Sequence, residues 1–202
     1  MICGMIFVNH ITNNFIMKKV FGILILLIVL SFGAKAQQIG AVADNYNGVP
    51  IYVNGHDYVQ SHGKSFAADG YYLGQKWQCV EFVKRYFYTK FSFKFPVWGG
   101  NANEFMNFVY NQGELNKERN CYQYYNGDNE KPQVDDILVF STSRYGHVCI
   151  VSKVEGNTIE VVQQNIEGKP RVTYTLTEKN GKYFIANGDV APIGFLRVNK
   201  AK

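Results

Sequence analysis

The chain has 202 residues, of which 15% are aromatic, and a formal net charge of +5. Residues 37–202 suffice for one compact domain with its own core and are too few for two. The three lysines of residues 1–36 are the only charges in that segment, so without it the net charge falls from +5 to +2. No basic run remains, which excludes a nucleic-acid-binding function.

Residues 1–36 have the layout of a short N-terminal extension followed by a secretory signal peptide. From Met17 the chain reads MKKVFGILILLIVLSFGAKAQQ, with a basic start, an apolar run and a small-residue cleavage site that ends at Ala36. The apolar run is shorter than the roughly 20 residues that span a bilayer, which makes an uncleaved anchor the less favoured alternative. We therefore predict a start at Met17, cleavage after Ala36, a secreted or periplasmic domain over residues 37–202, and no stable membrane insertion after cleavage.

The first elements predicted after this leader are an extended segment and an amphipathic helix. Two Asn-Gly turns flank the short apolar run 49–53, which predicts a strand or an extended arm. From Cys79 onward apolar residues recur at helical spacing. Glu81 and Arg85 lie four residues apart, in the favourable order for a pair on the helix surface. After a proline and a Gly-Gly pair, a second, shorter helix is predicted within residues 101–111.

Residues 111–134 are polar and turn-like, and after them the pattern changes to strands. Apolar or alternating runs separated by turn residues predict six strands. In chain order they read DILVF, GHVCIVSKV, TIEVVQQN, RVTYTLT, KYFIA and IGFLRV. Gly156-Asn157 and Asn180-Gly181 are the predicted turns between strands. Helices followed by an antiparallel meander define an α+β fold class.

Three cysteines lie outside the leader: Cys79, Cys121 and Cys149. An odd number in an exported protein leaves at least one thiol unpaired, and an oxidising compartment requires a reason for a free thiol to persist. Cys79 lies at the predicted start of a helix, where unpaired N–H groups and the helix dipole lower a thiol pKa. It is therefore the candidate nucleophile, with a buried core thiol as the alternative. Whether Cys121, in a polar loop, pairs with Cys149, in an apolar strand, stays open at this point.

A thiolate nucleophile requires a base, and His147 is the candidate. It opens the strongly apolar run GHVCIV, where a polar residue either caps the sheet edge or faces a site. His56 and His62 fall in turn-rich sequence and are expected to be solvated. They lack the close cysteine or acidic companions of a zinc site, so we predict neither a metal nor another cofactor.

The segment VVQQN supplies candidates for a group that orients the imidazole. Strand periodicity places Gln163 and Asn165 on one face and Gln164 on the other. If this strand pairs with that of His147, either Gln163 or Asn165 would hold one imidazole nitrogen and leave the other for Cys79. That is the logic of a catalytic triad with cysteine and a neutral amide in place of serine and aspartate. The alternative is that these amides are only solvated at a strand end.

The blocks KWQCVEFVKRYF, GHVCIV and VVQQN, in this order and spacing, resemble the three blocks of the CHAP family, the cysteine, histidine-dependent amidohydrolases and peptidases. The similarity extends over nearly all of residues 37–202. The blocks are especially similar to those of the amidase domains that act on glutathionylspermidine. It implies a papain-like, NlpC/P60-like α+β fold with N-terminal helices packed on an antiparallel β-sheet. The usual glycine before Asp-Ile is replaced by Asp135, which we expect to affect only a turn.

The resemblance concerns five predicted site residues. Cys79 would be the nucleophile and His147 the general base, and Gln78 would help to hold the oxyanion together with the Cys79 backbone N–H. The third block departs from the family pattern, because Gln163 stands where the family commonly has Glu, while Asn165 is retained. Gln163 can still accept a hydrogen bond from the imidazole, but it brings no negative charge, so we expect a weakened Cys⁻/His⁺ pair.

These implications predict a secreted cysteine amidohydrolase or peptidase that acts as a monomer. The leader favours peptidoglycan as the substrate, because its peptide and muramoyl-alanine bonds are the amides that an exported bacterial protein meets. One alternative is an amidase for a glutathionylspermidine-like conjugate. The sequence similarity favours this alternative, but the expected cytosolic location of that conjugate disfavours it. Another is a non-catalytic CHAP module that binds the cell wall, which Gln163 favours.

Overall fold

A computed structural model describes residues 38–97 and 99–199. The predicted extension and signal peptide, residues 1–36, lie outside the described residues and stay a prediction. The described part of the chain has one α-helix, α1 (Cys79–Phe91), and contains no helix long and apolar enough to cross a membrane. Its strands are β1 (Val42–Tyr46), β2 (Val49–Tyr52), β3 (Lys64–Phe66), β4 (Tyr72–Gln75), β5 (Leu115–Asn116), β6 (Cys121–Tyr125), β7 (Ile137–Phe140), β8 (His147–Glu155), β9 (Thr158–Val162), β10 (Arg171–Lys179), β11 (Lys182–Ala186) and β12 (Gly194–Val198).

Eight of these strands form one antiparallel sheet in the order β11-β10-β9-β8-β7-β12-β6-β5. All six strands predicted after residue 134 are present, and the predicted meander is confirmed because β7 to β11 pair consecutively. Asn180 and Gly181 have φ of 55° and 72° between β10 and β11, as a two-residue hairpin turn requires. The pairs β1–β2 and β3–β4 form two smaller hairpins.

The predicted amphipathic helix is confirmed as α1, and its buried side packs on one face of the large sheet. Alternate residues of β7 and β8 point to the two faces of the sheet, so they divide between two clusters. The cluster on the helix side contains Phe82, Val83, Phe87, Ile137, Val139, Val148 and Ile150. The cluster on the other face contains Leu138, Phe140, Cys149, Val151, Tyr174 and Ile185. The α+β, papain-like fold class is therefore confirmed, with one α-helix in the described residues where several were expected.

The second predicted helix, within residues 101–111, is wrong. Only Ala102–Phe105 form a short 3₁₀ helix, after which Met106 is extended with φ −95° and ψ 141°. The backbone of Asn107 bonds to the side chain of Gln123 instead of continuing a helix. The Gln123 oxygen accepts from Asn107 N at 3.0 Å, and its amide donates to Asn107 O at 2.9 Å. Tertiary hydrogen bonds thus satisfy the backbone groups that a helix would have paired.

The segment 111–134 is also more ordered than its polar composition predicts, since it contributes β5 and β6. In β6, Cys121 and Gln123 are both buried and point to the same face. Gln123 is tolerated there because its oxygen also accepts from Asn116 Nδ2 at 3.0 Å. A buried glutamine interrupted the apolar alternation that would have identified this strand.

Asp135 does more than replace a turn glycine. It has φ of 73°, the left-handed region that favours glycine, which accounts for the usual residue at this position. Its carboxylate accepts a hydrogen bond from the Tyr86 hydroxyl at 2.7 Å. The expectation that the substitution affects only a turn is therefore wrong, because Asp135 also ties α1 to the segment before β7.

The start of α1 is held close to β4 at Gly74. This residue has φ of 144°, and a Cβ atom there would lie 2.9 Å from the Cα of Glu81. Only glycine permits this approach of two backbones. The contact brings the residues between β4 and α1, including Gln78, against the N-terminal end of the helix.

Candidate active site

A cleft of about 600 Å³ opens beside the start of α1 and the start of β8. Its volume falls in the range of small-molecule and peptide sites in proteins. Four of the five predicted site residues contribute to its lining: Gln78, Cys79, His147 and Asn165. The fifth, Gln163, lies behind His147 and contacts its ring.

Cys79 is the first residue of α1, and Gln78 before it is extended with φ −75° and ψ 159°. Three backbone N–H groups point toward the sulfur, those of Cys79 itself, Val80 and Val148, and each of them lowers the pKa of the thiol. Burial outweighs them and raises the pKa of Cys79 above its ordinary value, because the side chain is only 7% exposed. The prediction that the helix start lowers the thiol pKa is therefore wrong in its net direction, although the N–H groups act as expected.

His147 is the first residue of β8, and its ring is oriented by Gln163. Nε2 of His147 lies 2.9 Å from Oε1 of Gln163. The amide of Gln163 is fixed in turn, because its Nε2 donates to the Lys169 carbonyl at 2.8 Å. This orientation presents a carbonyl oxygen to the imidazole, so His147 Nε2 carries the hydrogen and Nδ1 keeps its lone pair.

Cys79 and His147 both line the cleft. The N–H of Val148, the residue after His147, reaches the Cys79 sulfur, and both side chains line the cleft. Burial lowers the pKa of His147 to about 4, so the ring is neutral at pH 7. With the thiol pKa raised, both the thiol and the imidazole are neutral at pH 7. This agrees with the expectation that Gln163, which has no charge, weakens a Cys⁻/His⁺ pair.

Asn165 does not orient the imidazole, in contrast to Gln163, with which it was predicted to share a face. Its φ of 70° breaks the alternation of the strand. Its Nδ2 donates to Gln78 Oε1 at 2.6 Å and to the Tyr58 carbonyl at 2.8 Å, and its Oδ1 accepts from Asn54 Nδ2 at 2.7 Å. The structure therefore places Asn165 as the residue that holds Gln78.

The side chain of Gln78 is fixed at both ends. Its Oε1 accepts from Asn165, and its Nε2 donates to the Gln60 carbonyl at 2.8 Å. An amide nitrogen carries two hydrogens, so the second one is still available at the edge of the cleft. The role of Gln78 at an oxyanion stays a prediction that this geometry permits.

Sequence reasoning missed a buried polar cluster that joins the segment after β9 to the helix. Gln164 donates to Glu81 Oε2 at 2.9 Å and to the Gln78 carbonyl at 3.1 Å. Glu81 and Arg85 form the predicted i, i+4 pair, with Arg85 Nε 2.7 Å from Glu81 Oε1. The pair is not on the surface as predicted, since Glu81 is 0% exposed. Glu81 lies on the side of α1 opposite Cys79, Phe82 and Val83, so the apolar periodicity of the helix gave no signal of this cluster.

The other histidines and cysteines considered in the sequence do not line the cleft. His56 is exposed and pairs with Glu167, and His62 Nε2 lies 3.0 Å from the Asn54 carbonyl. Cys121 and Cys149 are buried, reduced thiols in clusters on opposite faces of the sheet, so they do not form a disulfide. Among residues 38–97 and 99–199, no group of three or more potential ligands could hold a metal ion.

A helix that begins at a cysteine and packs on an antiparallel sheet presenting a histidine is the arrangement of papain-like folds. The CHAP domain family model matches residues 70–165, which include Gln78, Cys79, His147, Gln163 and Asn165. Residues 70–165 therefore match the CHAP family, as the three sequence blocks indicated.

Two curated relatives show the same relationship. The bifunctional glutathionylspermidine synthetase/amidase of Escherichia coli K12 is 27% identical over 110 residues, which cover 50% of this chain and 17% of the relative. The trypanothione synthetase of Crithidia fasciculata is 26% identical over 120 residues, which cover 58% of this chain and 18% of the relative. The matched segments thus span less than a fifth of these longer proteins. Family and relatives together support an amidohydrolase function.

Proposed function

We propose that the chain is a cysteine-dependent amidohydrolase in which Cys79 is the nucleophile and His147 the general base. The observation that carries the proposal is the hydrogen bond between His147 Nε2 and Gln163 Oε1, because it leaves Nδ1 as the basic nitrogen of a ring that lines the same cleft as the Cys79 thiol. The shared cleft supports it further, since an amide substrate would meet both groups there.

The reaction begins with a neutral thiol and a neutral imidazole. As the Cys79 sulfur attacks the amide carbonyl, the thiol proton passes to Nδ1 of His147 and a tetrahedral intermediate forms. Backbone N–H groups at the helix start and the free hydrogen of Gln78 are the donors near the developing oxyanion. The imidazolium then protonates the leaving nitrogen, and the C–N bond breaks to leave a thioester on Cys79. Water, deprotonated by His147, hydrolyses the thioester and regenerates the thiol.

Peptidoglycan is the substrate we favour, with its peptide or muramoyl-alanine bonds as the amides cleaved. The signal-peptide layout of residues 1–36 supports this, because it directs the protein to the compartment that contains the cell wall. The lining of the cleft also supports it. None of the described residues that line the cleft is Asp or Glu, whereas carboxylates in the lining would favour the cationic chain of a polyamine conjugate.

Two other functions have specific support. Similarity to the E. coli synthetase/amidase favours an amidase for glutathionylspermidine-like conjugates. Gln163, in place of the usual Glu, favours a non-catalytic module that binds the cell wall. The second reading does not account for the ordered His147–Gln163 contact next to a thiol that lines the cleft.

Product analysis separates these functions. Purified peptidoglycan and glutathionylspermidine would each be incubated with the protein and with its Cys79→Ala variant, and the products identified by mass spectrometry. We expect new peptide or amine termini from peptidoglycan with the unmodified protein alone. Release of spermidine alone would support the conjugate amidase, and identical digests from both proteins with both substrates would support the binding module.

A further inference from the structure

Asn54 is a buried amide that lies behind the cleft lining, in the turn-rich segment after β2. The residue is only 4% exposed and does not itself line the cleft. Its Oδ1 accepts from the backbone N–H of Trp77 at 3.1 Å, and its Nδ2 donates to Asn165 Oδ1 at 2.7 Å. Burying an amide costs free energy unless it is hydrogen-bonded, and both ends of this one are.

A chain of three side-chain amides runs from Asn54 to the start of α1. Asn54 donates to Asn165, Asn165 donates to Gln78 Oε1 at 2.6 Å, and Gln78 Nε2 donates to the Gln60 carbonyl at 2.8 Å. The chain begins at the Trp77 N–H, which can only donate, and ends at a carbonyl, which can only accept. The oxygen and nitrogen of each amide can therefore face only one way. In this orientation Gln78 turns its NH₂ group toward the edge of the cleft.

Asn54 also contacts the other partner of the Gln78 side chain. Its Nδ2 lies 3.4 Å from the carbonyl oxygens of Asp57 and Gln60. The Gln60 carbonyl is the group that accepts from Gln78. Asn54 thus touches both groups that hold Gln78, which are the Asn165 amide at one end and the Gln60 carbonyl at the other.

We propose that Asn54 is a positioning residue that fixes Gln78 as an oxyanion donor. A donor stabilises a developing oxyanion best when it is already aimed before the charge forms. Asn54 acts through Gln78 and does not touch the substrate. The inference rests on the proposed function, in which Cys79 attacks and Gln78 donates to the oxyanion. Loss of Asn54 should therefore slow attack at a carbonyl carbon and leave the thiol itself as reactive as before.

Two reagents separate these effects without the natural substrate. With p-nitrophenyl acetate the Cys79 sulfur attacks the acetyl carbon, an oxyanion forms, the thiol proton passes to His147, and p-nitrophenolate leaves as its C–O bond breaks. With iodoacetamide the sulfur displaces iodide from a methylene carbon and no oxyanion forms. Both rates depend on the thiol, so the ratio of acylation to alkylation isolates oxyanion stabilisation. The Cys79→Ala variant gives the background for both reagents.

Asn54→Asp is the informative change. The introduced carboxylate still accepts from the Trp77 N–H, but when ionised, at about pH 8.5, it has no hydrogen to donate to Asn165. We expect the acylation-to-alkylation ratio to fall about tenfold, less than in Gln78→Ala, which removes the donor outright. Adding Asn54→Asp to Gln78→Ala should lower the ratio no further. Asn54→Leu has similar size and no donor at any pH, so it should also lower the ratio, and it decides if Asn54→Asp does not fold.

Asn116→Asp is the matched control. Asn116 is 0% exposed, its Oδ1 accepts from the Arg119 backbone N–H at 3.1 Å, and its Nδ2 donates to Gln123 Oε1 at 3.0 Å. It has the same bonding pattern as Asn54 and is not connected to Gln78 by these bonds. We expect this change to lower stability and to leave the ratio unchanged.

An unchanged ratio in both Asn54 variants would overturn the proposal, as would an equal fall in Asn116→Asp. A fall in Asn54→Leu without one in Asn54→Asp would also overturn it, because the bond to Trp77 would then be the one that matters. If Gln78→Ala itself leaves the ratio unchanged, the oxyanion role of Gln78 fails together with the inference, while alkylation still reports on Cys79. Failure of Cys79 to react with either reagent would remove the proposed nucleophile and the inference with it.

Discussion

The carbonyl oxygen of Gln163 lies 2.9 Å from Nε2 of His147 and is held there by the bond from its own amide to the Lys169 carbonyl. The contact fixes the tautomer of the ring as a carboxylate would. It differs from a carboxylate in charge, because it does not stabilise an imidazolium ion. The low pKa of His147, about 4, is the consequence of burial without such a charge.

Changing Gln163 to Glu should raise the pKa of His147 toward the ordinary value. A negative charge beside Nε2 favours the protonated ring, and the protonated ring in turn favours the thiolate of Cys79. We expect the rate of Cys79 alkylation by iodoacetamide at pH 6 to rise about tenfold, which corresponds to one pKa unit. The pKa of His147 would be followed by NMR. Gln133→Glu adds the same charge at an exposed residue and should change neither quantity; an unchanged His147 pKa in Gln163→Glu would show that Gln163 does not control the ring.

The pH dependence of activity should reflect a neutral base. His147 accepts the thiol proton only when it is unprotonated, and its pKa of about 4 keeps it so through weakly acidic pH. We expect kcat/KM, which reports on the free enzyme, to be retained at pH 5 to 6 and to fall only as the pH approaches about 4. Circular dichroism at each pH would control for unfolding. An acid limb near pH 6.5 would contradict the account, because it would indicate an imidazole with an ordinary pKa.

Asn165 should act through Gln78. Its removal frees the Gln78 amide that it holds at 2.6 Å, so we expect kcat to fall by about tenfold, less than the 10²–10³ typical of losing an oxyanion donor outright. Asn165→Gly is the appropriate change, because Asn165 has φ of 70° and alanine would add backbone strain. The double variant with Gln78→Ala should be no slower than Gln78→Ala alone. Additive losses in that cycle would mean that Asn165 acts independently of Gln78.

Glu81 should be important for stability. It is fully buried, bonds Arg85 and accepts from Gln164, so Glu81→Gln would leave a mostly buried guanidinium without its charge partner. We expect the free energy of unfolding to fall by about 3 kcal/mol, measured by urea denaturation. Glu178→Gln, at an exposed end of β10, serves as the control and should change it by less than about 0.5 kcal/mol. Equal effects of the two changes would contradict the buried pair.

Local periodicity predicted the elements whose pattern repeats over several residues. The face of α1 that contains Phe82, Val83 and Tyr86, and the six strands after residue 134, follow directly from the spacing of apolar side chains. The predicted second helix was wrong and the strand β6 was missed, and Gln123 is the cause of both errors. It is buried in β6 and takes the backbone bonds of Asn107. No periodicity indicates a partner so distant in the chain.

The candidate site also has features that the sequence predicts and features that it does not. The positions of Cys79 and His147 at the starts of a helix and a strand could be predicted, because each opens an apolar run. The net direction of the thiol pKa could not, since it depends on how deeply the fold buries the sulfur. The distinct tasks of Gln163 and Asn165 depend on a single backbone angle, the φ of 70° at Asn165, which strand alternation does not predict.

The most direct test of the central claim is to capture the acyl-enzyme. The protein would be mixed with purified peptidoglycan peptides, quenched in acid within milliseconds to seconds, and digested for mass spectrometry. The account predicts a thioester-linked peptide acyl group on the fragment that contains Cys79, absent from Cys79→Ala and strongly reduced in His147→Ala. Cleavage of the same amide bonds by Cys79→Ala at the unmodified rate, with no adduct in any variant, would contradict it.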